Sequence, residues 1–328
     1  MNRRQFLATS AVAGLGLLSA PFVARAATRT LRICTTSAEN STMGLALPRF
    51  AAAVSELTGG SLGVEVFYSS ALGKAPELYQ AVLDGTLDMY FLSVDTVPAL
   101  PKPILALATP FLFQDRTFAH AAYDGALGKA SSEILAGVGI EVLGWGENGT
   151  RHMTAKKPIR TPADLVGLKL RVPEAPVSMA AFSALGAVPT VVPFVELVPK
   201  LKDGLVEAQE NPIGNVVSAK LEGLQTHISL TAHTYSSAAL GFSAEIAAEL
   251  TDVERDALHK AGKIAVQVSR DENVNFDSKG LAAMVANGWT VVDDVDHASF
   301  AAKIDDVFAA VSEVVGADTL AGIKGLIS

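Results

Sequence analysis

The sequence predicts an α/β protein built as two lobes, and three observations carry that prediction. Strand-like and helix-like segments alternate along most of the chain, the pattern of a largely parallel sheet covered by helices. At 328 residues the chain is too large for one ordinary core and suits two. The stretch Thr251–Gly288 reads as one helix, too long for a single lobe of this size.

The elements follow in order. "TLRICTTS" is a strand by its period of two, and "LALPRFAAAVSELTGG" is a helix closed by Gly59–Gly60. "SLGVEVFYSS" is a strand, "KAPELYQAVLDG" a helix ending at Gly85, and "TLDMYFLS" the next strand. The pattern then restarts. "EVLGWGENGTRHMT" and "LKLRV" are strands, "VSMAAFSALGA" a helix, "VPKLKDG" a helix end and "LVEAQENP" a strand. Leu78–Met89 and Leu197–Ala208 echo one another, each stopping a helix at Asp-Gly before a strand. One copy per lobe is expected.

Thr251 and Glu254 form a capping box at the start of the long helix, and Leu258, Ala261, Ile264, Ala265 and Val268 give its apolar face. Polar residues crowd Asn273–Asp277, so a kink is expected there, and "ANG" at Ala286–Gly288 ends the helix.

Composition narrows the function classes. Charged residues are 18% and apolar ones 49%, as in an ordered globular chain. The net charge of −8, with no Lys/Arg-rich run, disfavours nucleic acid as a partner. Residues 1–26 read as an export signal. Paired Arg3 and Arg4 precede Phe6, Leu7 and an apolar stretch, and "ARA" at Ala24–Ala26 offers a cleavage site. The pattern resembles a Tat signal. Cleavage there would remove Arg3, Arg4 and Arg25 and leave a net charge of −11. Cys34 stands alone, which excludes an intramolecular disulfide and reads as a buried, inert thiol.

Two motifs suggest an enzyme and fail on context. "GGSLG" at Gly59–Gly63 matches a nucleophile elbow, but here helix precedes turn and strand, so Ser61 is a turn residue. "GWGENG" at Gly144–Gly149 matches a dinucleotide fingerprint, yet Pro158 and Pro162 forbid the helix that would hold a pyrophosphate. The six histidines lack metal-site spacing. Neither a catalytic residue, a metal nor a cofactor is expected.

The residue that invites a question is Arg171, at the carboxyl end of "LKLRV". It is either a solvated neighbour of Lys169 or a guanidinium in a cleft, where α/β folds gather ligands at strand ends. In a cleft it would need an anion to offset its lost hydration, and its planar fork fits a carboxylate. Arg151, beside a Gly-rich bend, is a second candidate donor.

"NGTRHMTAKKPIRTPADLVGLKLRVPEAP", "FSALGAVPTVVPFVEL" and "LKDGLVEAQENP" closely resemble the solute-binding subunits of tripartite ATP-independent periplasmic (TRAP) transporters, and "YSSALGKAPELYQAVLDGTLDM" matches the same family. The resemblance covers nearly everything from Leu31 onward. It implies a two-lobe periplasmic-binding-protein fold with a central cleft, chain crossovers and a lobe-spanning helix. Lobe I would hold residues 27–148 with 237–276, and lobe II residues 149–236 with 277–328. It puts a carboxylate clamp on Arg171, with Arg151 and Asn211 beside it, and Phe194 against the ligand's apolar face. Glu174 falls where relatives meet polar ligand groups, and Ser93 and Tyr235 fall on matching first-lobe and hinge positions. Ser93 stands where sialic-acid binders carry an acid, and Val195 replaces a usual polar or aromatic residue, so the rest of the ligand stays open. The implied function is periplasmic capture of a small organic acid, a sugar acid or dicarboxylate, by hinge closure. The implied partners are a small and a large multi-span membrane subunit, with the binding protein itself monomeric. A ligand sensor for a signalling partner, or an enzyme in the cleft, are the alternatives.

Overall fold

The computed structural model describes residues 29–327, and the export segment expected over residues 1–26 lies outside them. Among the described residues the strands are β1 (Arg29–Cys34), β2 (Leu62–Phe67), β3 (Met89–Ser93), β4 (Ile140–Ala155), β5 (Lys169–Val172), β6 (Val188–Val191), β7 (Ala208–Pro212), β8 (His227–Ser243) and β9 (Thr290–Val292). They form one sheet ordered β2-β1-β3-β8-β4-β7-β5-β6, with β9 beside β8.

That order repeats itself about its centre. β1 lies parallel between β2 and β3, and β5 lies parallel between β6 and β7. The echo in the sequence is the visible part of this duplication. Gly85 and Gly204 both end helices in the left-handed region, at φ 65° and 76°, ahead of β3 and β7. The expectation of a largely parallel sheet needs correction at the middle. β4 and β8 run antiparallel to one another, and to β7 and β3 respectively. These strands of 16 and 17 residues carry the chain out of one lobe and back again, so they must point in opposite directions.

β3 explains how a short apolar run becomes a core strand. Met89 and Phe91 enter one core, with the helix Thr42–Leu57 and the long helix, while Tyr90 and Leu92 enter another with the helix Ala75–Leu83. Both faces are buried, so the run is continuous rather than alternating. Each such large side chain stabilises the fold by about 2–3 kcal/mol.

The glycines of "GWGENG" serve packing. A Cβ on Gly146 would lie 2.6 Å from Phe91 Cζ and 2.9 Å from Ser269 Oγ, so only glycine lets the long helix rest on β4. Gly149 has φ +137°, and a Cβ there would meet Asn273 Oδ1 at 2.4 Å. No helix N-terminus follows it.

The long helix runs from Asp252 to Asn275, passes through a π-turn at Phe276–Gly280 and continues as Leu281–Ala286. Its capping box forms as expected, with Glu254 N donating to Thr251 Oγ1 (3.3 Å) and Thr251 N to Glu254 Oε2 (3.1 Å). The irregular turn adjoins the polar cluster that the sequence marked. There Asn273 Nδ2 donates to the Glu147 carbonyl (3.1 Å), and Glu147 N donates to Ser269 Oγ (3.1 Å), tying helix to crossover strand. Near the C-terminus, Ile304–Val315 packs on Pro176–Ala184, and Ala317–Ile327 packs on Ala126–Ala136.

Candidate ligand-binding site

The parallel strands of both lobes deliver their carboxyl ends to one cleft. Thr36 and Ser37 follow β1, Ser70 follows β2, and Thr96 follows β3. From the other lobe Arg171, Pro173 and Glu174 come off β5, Pro193 and Phe194 follow β6, and Asn211 ends β7. Two adjoining cavities share Thr36, Thr96, Arg171, Pro173 and Phe194. The outer one adds Ser70, Lys74 and Glu174; the inner one adds Ser93, Asn148, Arg151, Asn211 and Asn215. Lys74 Nζ donates to Glu196 Oε1 (2.9 Å) across the mouth, joining the two sides.

Two buried arginines line the cleft and differ in what holds them. Arg151, 3% exposed, is spent on protein carboxylates. Its Nε and Nη2 grip Glu210, its Nη1 lies 3.0 Å from Asp95 Oδ2, and its Nη2 reaches Asn211 Oδ1 at 3.3 Å. Burial would raise the Glu210 pKa, but Arg151 and His233 hold it down at about 2. Arg171 is 2% exposed, yet among the described residues its side chain makes one hydrogen bond, from Nε to the Val192 carbonyl (2.8 Å), and no ion pair. Burial, with Arg151 adding like-charge repulsion, lowers its pKa to about 10. Its terminal nitrogens therefore face the cavities with charge unspent, the condition under which a guanidinium needs an anion.

Hydrogen-bonded amides and hydroxyls surround this pair. Asn215 Nδ2 donates to Asn148 Oδ1 (3.2 Å) and Asn211 Oδ1 (3.3 Å), Asn148 Nδ2 donates to Ser236 Oγ (3.2 Å), and Ser236 Oγ donates to Asp95 Oδ2 (2.9 Å). The belt fixes the side chains at the crossover strands before any ligand arrives.

Of the residues singled out in the sequence, Arg171, Arg151, Asn211, Phe194, Glu174 and Ser93 line the cleft. Arg151 lines the inner cavity with much of its guanidinium engaged by Glu210 and Asp95. Tyr235 is a correction of place. Its ring packs among Phe113, Tyr123 and His120 at centroid distances of 5.6, 6.1 and 5.9 Å, and it lines neither cavity. Alternation along β8 turns its neighbour Ser236, not Tyr235, toward Asp95. Thr36, Ser70, Lys74, Thr96, Asn148 and Asn215 went unread. The strand-end rule that selected Arg171 would have found Thr36, Ser70 and Thr96, whereas Lys74 caps the helix that follows.

Cys34 is buried and burial raises its pKa, as expected of an inert thiol. Ser61 sits in the turn and donates to Glu254 Oε1 (2.9 Å). Among the described residues no group of three or more His, Cys, Asp or Glu is placed to hold a metal ion.

His152 yields a stability prediction. It is buried beside the cleft, and its Nδ1 accepts from Ala232 N (3.1 Å). Burial, then the nearby His233 and Arg116, pull its pKa down to about 3. An unfolded histidine titrates near ~6.5. The folded pKa is the lower one, so this stabilisation is complete above about pH 6.5 and drains as pH falls toward 3. Between pH ~7.5 and ~5, His152 should cost the fold about 2 kcal/mol, seen as a lower urea midpoint. His152→Gln should flatten that slope, and an unaltered slope would remove His152 from the account.

Two lobes, a cleft at the strand ends and an unspent cation inside it define a solute-binding protein. The chain belongs to the bacterial extracellular solute-binding protein family 7, whose model matches residues 33–313. This is the TRAP family that the sequence motifs resemble. The chain is 36% identical over 300 residues to a solute-binding protein of Verminephrobacter eiseniae, covering 91% of this chain and 90% of that one. It is 32% identical over 290 residues to the 2,3-diketo-L-gulonate-binding periplasmic protein of Escherichia coli K12, covering 88% of each. Among solved structures, a TRAP periplasmic solute-binding protein from Polaromonas sp. JS666 bound to D-erythronate superposes with a TM-score of 0.86 at 32% identity, covering 90% of this chain and 98% of that one. The family binds and delivers solutes rather than transforming them, which sets the enzyme reading aside. No helix of the described residues is long and apolar enough to cross a membrane.

Proposed function

We propose that this protein captures a small organic acid by closing its lobes around the ligand's carboxylate, and hands it to a small and a large multi-span membrane subunit. The observation that carries the reading is Arg171: buried, charged and, among the described residues, without an ion-pair partner. A ligand carboxylate supplies the missing anion only when both lobes surround it, so binding favours the closed arrangement. At micromolar affinity the ligand contributes about 8 kcal/mol, of which the closed-state share drives closure. Asn211, on the neighbouring β7, offers a further hydrogen bond, and Phe194 an apolar wall.

The division of the lobes follows the crossovers, with residues up to 148 and 237–276 on one side, and 149–236 and 277–328 on the other. Function as a monomer, and export in the folded state by the Tat route into the periplasm, complete the proposal. The twin arginines at Arg3 and Arg4 support the route. Two similar proteins support the ligand class, since D-erythronate and 2,3-diketo-L-gulonate are both carboxylates.

The test is calorimetry of the purified mature chain with D-erythronate and succinate, each beside its neutral alcohol, erythritol or butanediol. At least one acid should bind with micromolar affinity and neither alcohol should. An alcohol that bound as tightly as its acid would overturn the carboxylate clamp.

A further inference from the structure

We infer that the cleft selects acids with one carboxylate and a hydroxylated far end, and that Glu174 is the residue that rejects a second carboxylate. The inference rests on the carboxylate reading above and names the ligand within it. Glu174 lies three residues beyond Arg171, half-buried, and lines the outer cavity with it. Among the described residues its carboxylate has no hydrogen bond and no ion pair, although Lys74 and Arg171 act on it through space. Lys74, the other cation on that cavity, is engaged by Glu196 at 2.9 Å. The cavity thus presents one unspent donor, Arg171, and one unspent acceptor, Glu174.

Complementarity assigns the two ends of the ligand. Its carboxylate neutralises Arg171, and its far end must donate to Glu174, which a hydroxyl does and a second carboxylate does not. Lys74 and Arg171 attract the Glu174 carboxylate, while Glu196 and Glu77 repel it. One ligand carboxylate is offset by Arg171, whereas a second at the far end sets like charges together in a partly dry cavity. Thr36, Ser70 and Thr96, also on the outer wall, are neutral partners suited to hydroxyls. Ser70 is held for that purpose. It and Ser69 lie in the left-handed region, at φ 60° and 53°, pinned by Ser70 N to the Thr35 carbonyl (3.1 Å) and Ser69 N to the Ser37 carbonyl (2.9 Å).

The experiment compares acids that differ only at the far end: D-erythronate with meso-tartrate, and D-galactonate with galactarate. Wild type should prefer the monoacid of at least one pair by about tenfold or more. Glu174→Gln should bring that preference below about threefold, chiefly by tightening the diacid. Glu174→Asp, which keeps the charge, should retain the preference, and melting curves check that both variants fold. Equal binding of monoacid and diacid by wild type, or a ratio unmoved in Glu174→Gln, overturns the inference while Arg171-dependent binding stands. Failure of wild type to bind any of the four acids overturns this inference, and failure to bind succinate as well overturns the carboxylate reading with it.

Discussion

Arg171→Ala is expected to abolish capture of the ligand and leave the unliganded protein as stable as before. The guanidinium is held in the cleft by one side-chain hydrogen bond to the Val192 carbonyl and, among the described residues, no ion pair, so few polar protein contacts are lost. A buried charge without a partner is a cost to the protein alone, and alanine relieves it. In the complex the balance reverses. Truncating one member of a buried, hydrogen-bonded charge pair costs about 2–5 kcal/mol, roughly 30- to 5,000-fold in Kd. Arg171→Lys keeps the charge and loses the planar fork, so it should weaken binding by about tenfold or more. Calorimetry with whichever acid wild type binds reads both effects. An unchanged Kd in Arg171→Ala would remove the clamp, and a large fall in melting temperature would make Arg171 a structural residue instead.

Much of the framework was legible because its signals are local. Gly-ended helices, the Thr251–Glu254 box and the polar break before the π-turn each follow from a few adjacent residues. β6 was hidden because Pro189 interrupts it, tolerable only at a sheet edge. β8 was hidden because Ser229, Thr231, Ser236 and Ser237 make it read as polar, although all are buried. They are satisfied by partners that no sequence window contains, such as Ile159 N for Ser229 Oγ and Tyr123 Oη for Ser237 Oγ. The site divides in the same way. Arg171 stood out by its place at a strand end, whereas the engagement of Arg151 depends on Asp95 and Glu210, 56 and 59 positions away. "QENP" drew attention to Asn211, yet the glutamate before it carries the ion pair, and His233 completes it with Nε2 at 3.1 Å from Glu210 Oε2.

Arg151→Met should give the opposite signature from Arg171→Ala. Methionine fills much of the stem's volume but leaves Glu210 and Asp95 in the interior without their cation, and burial already raises the Asp95 pKa. Breaking a buried pair on one side costs about 3–5 kcal/mol, because the remaining charge has neither water nor partner. That loss should appear as a lower urea midpoint at pH ~7. It should shrink on acidification, where protonation relieves the stranded carboxylates, so the gap between variant and wild type narrows below pH ~5. The double variant Arg151→Met, Glu210→Gln should recover part of the loss, and the cycle separates this pair from the neighbouring amide belt. Ligand affinity in the folded Arg151→Met protein should fall less than in Arg171→Ala, since most of the Arg151 guanidinium is already engaged by Glu210 and Asp95. If Arg151→Met kept full stability and lost binding as completely as Arg171→Ala, the two arginines would share one role, and the assignment of one to the ligand and the other to the fold would be wrong.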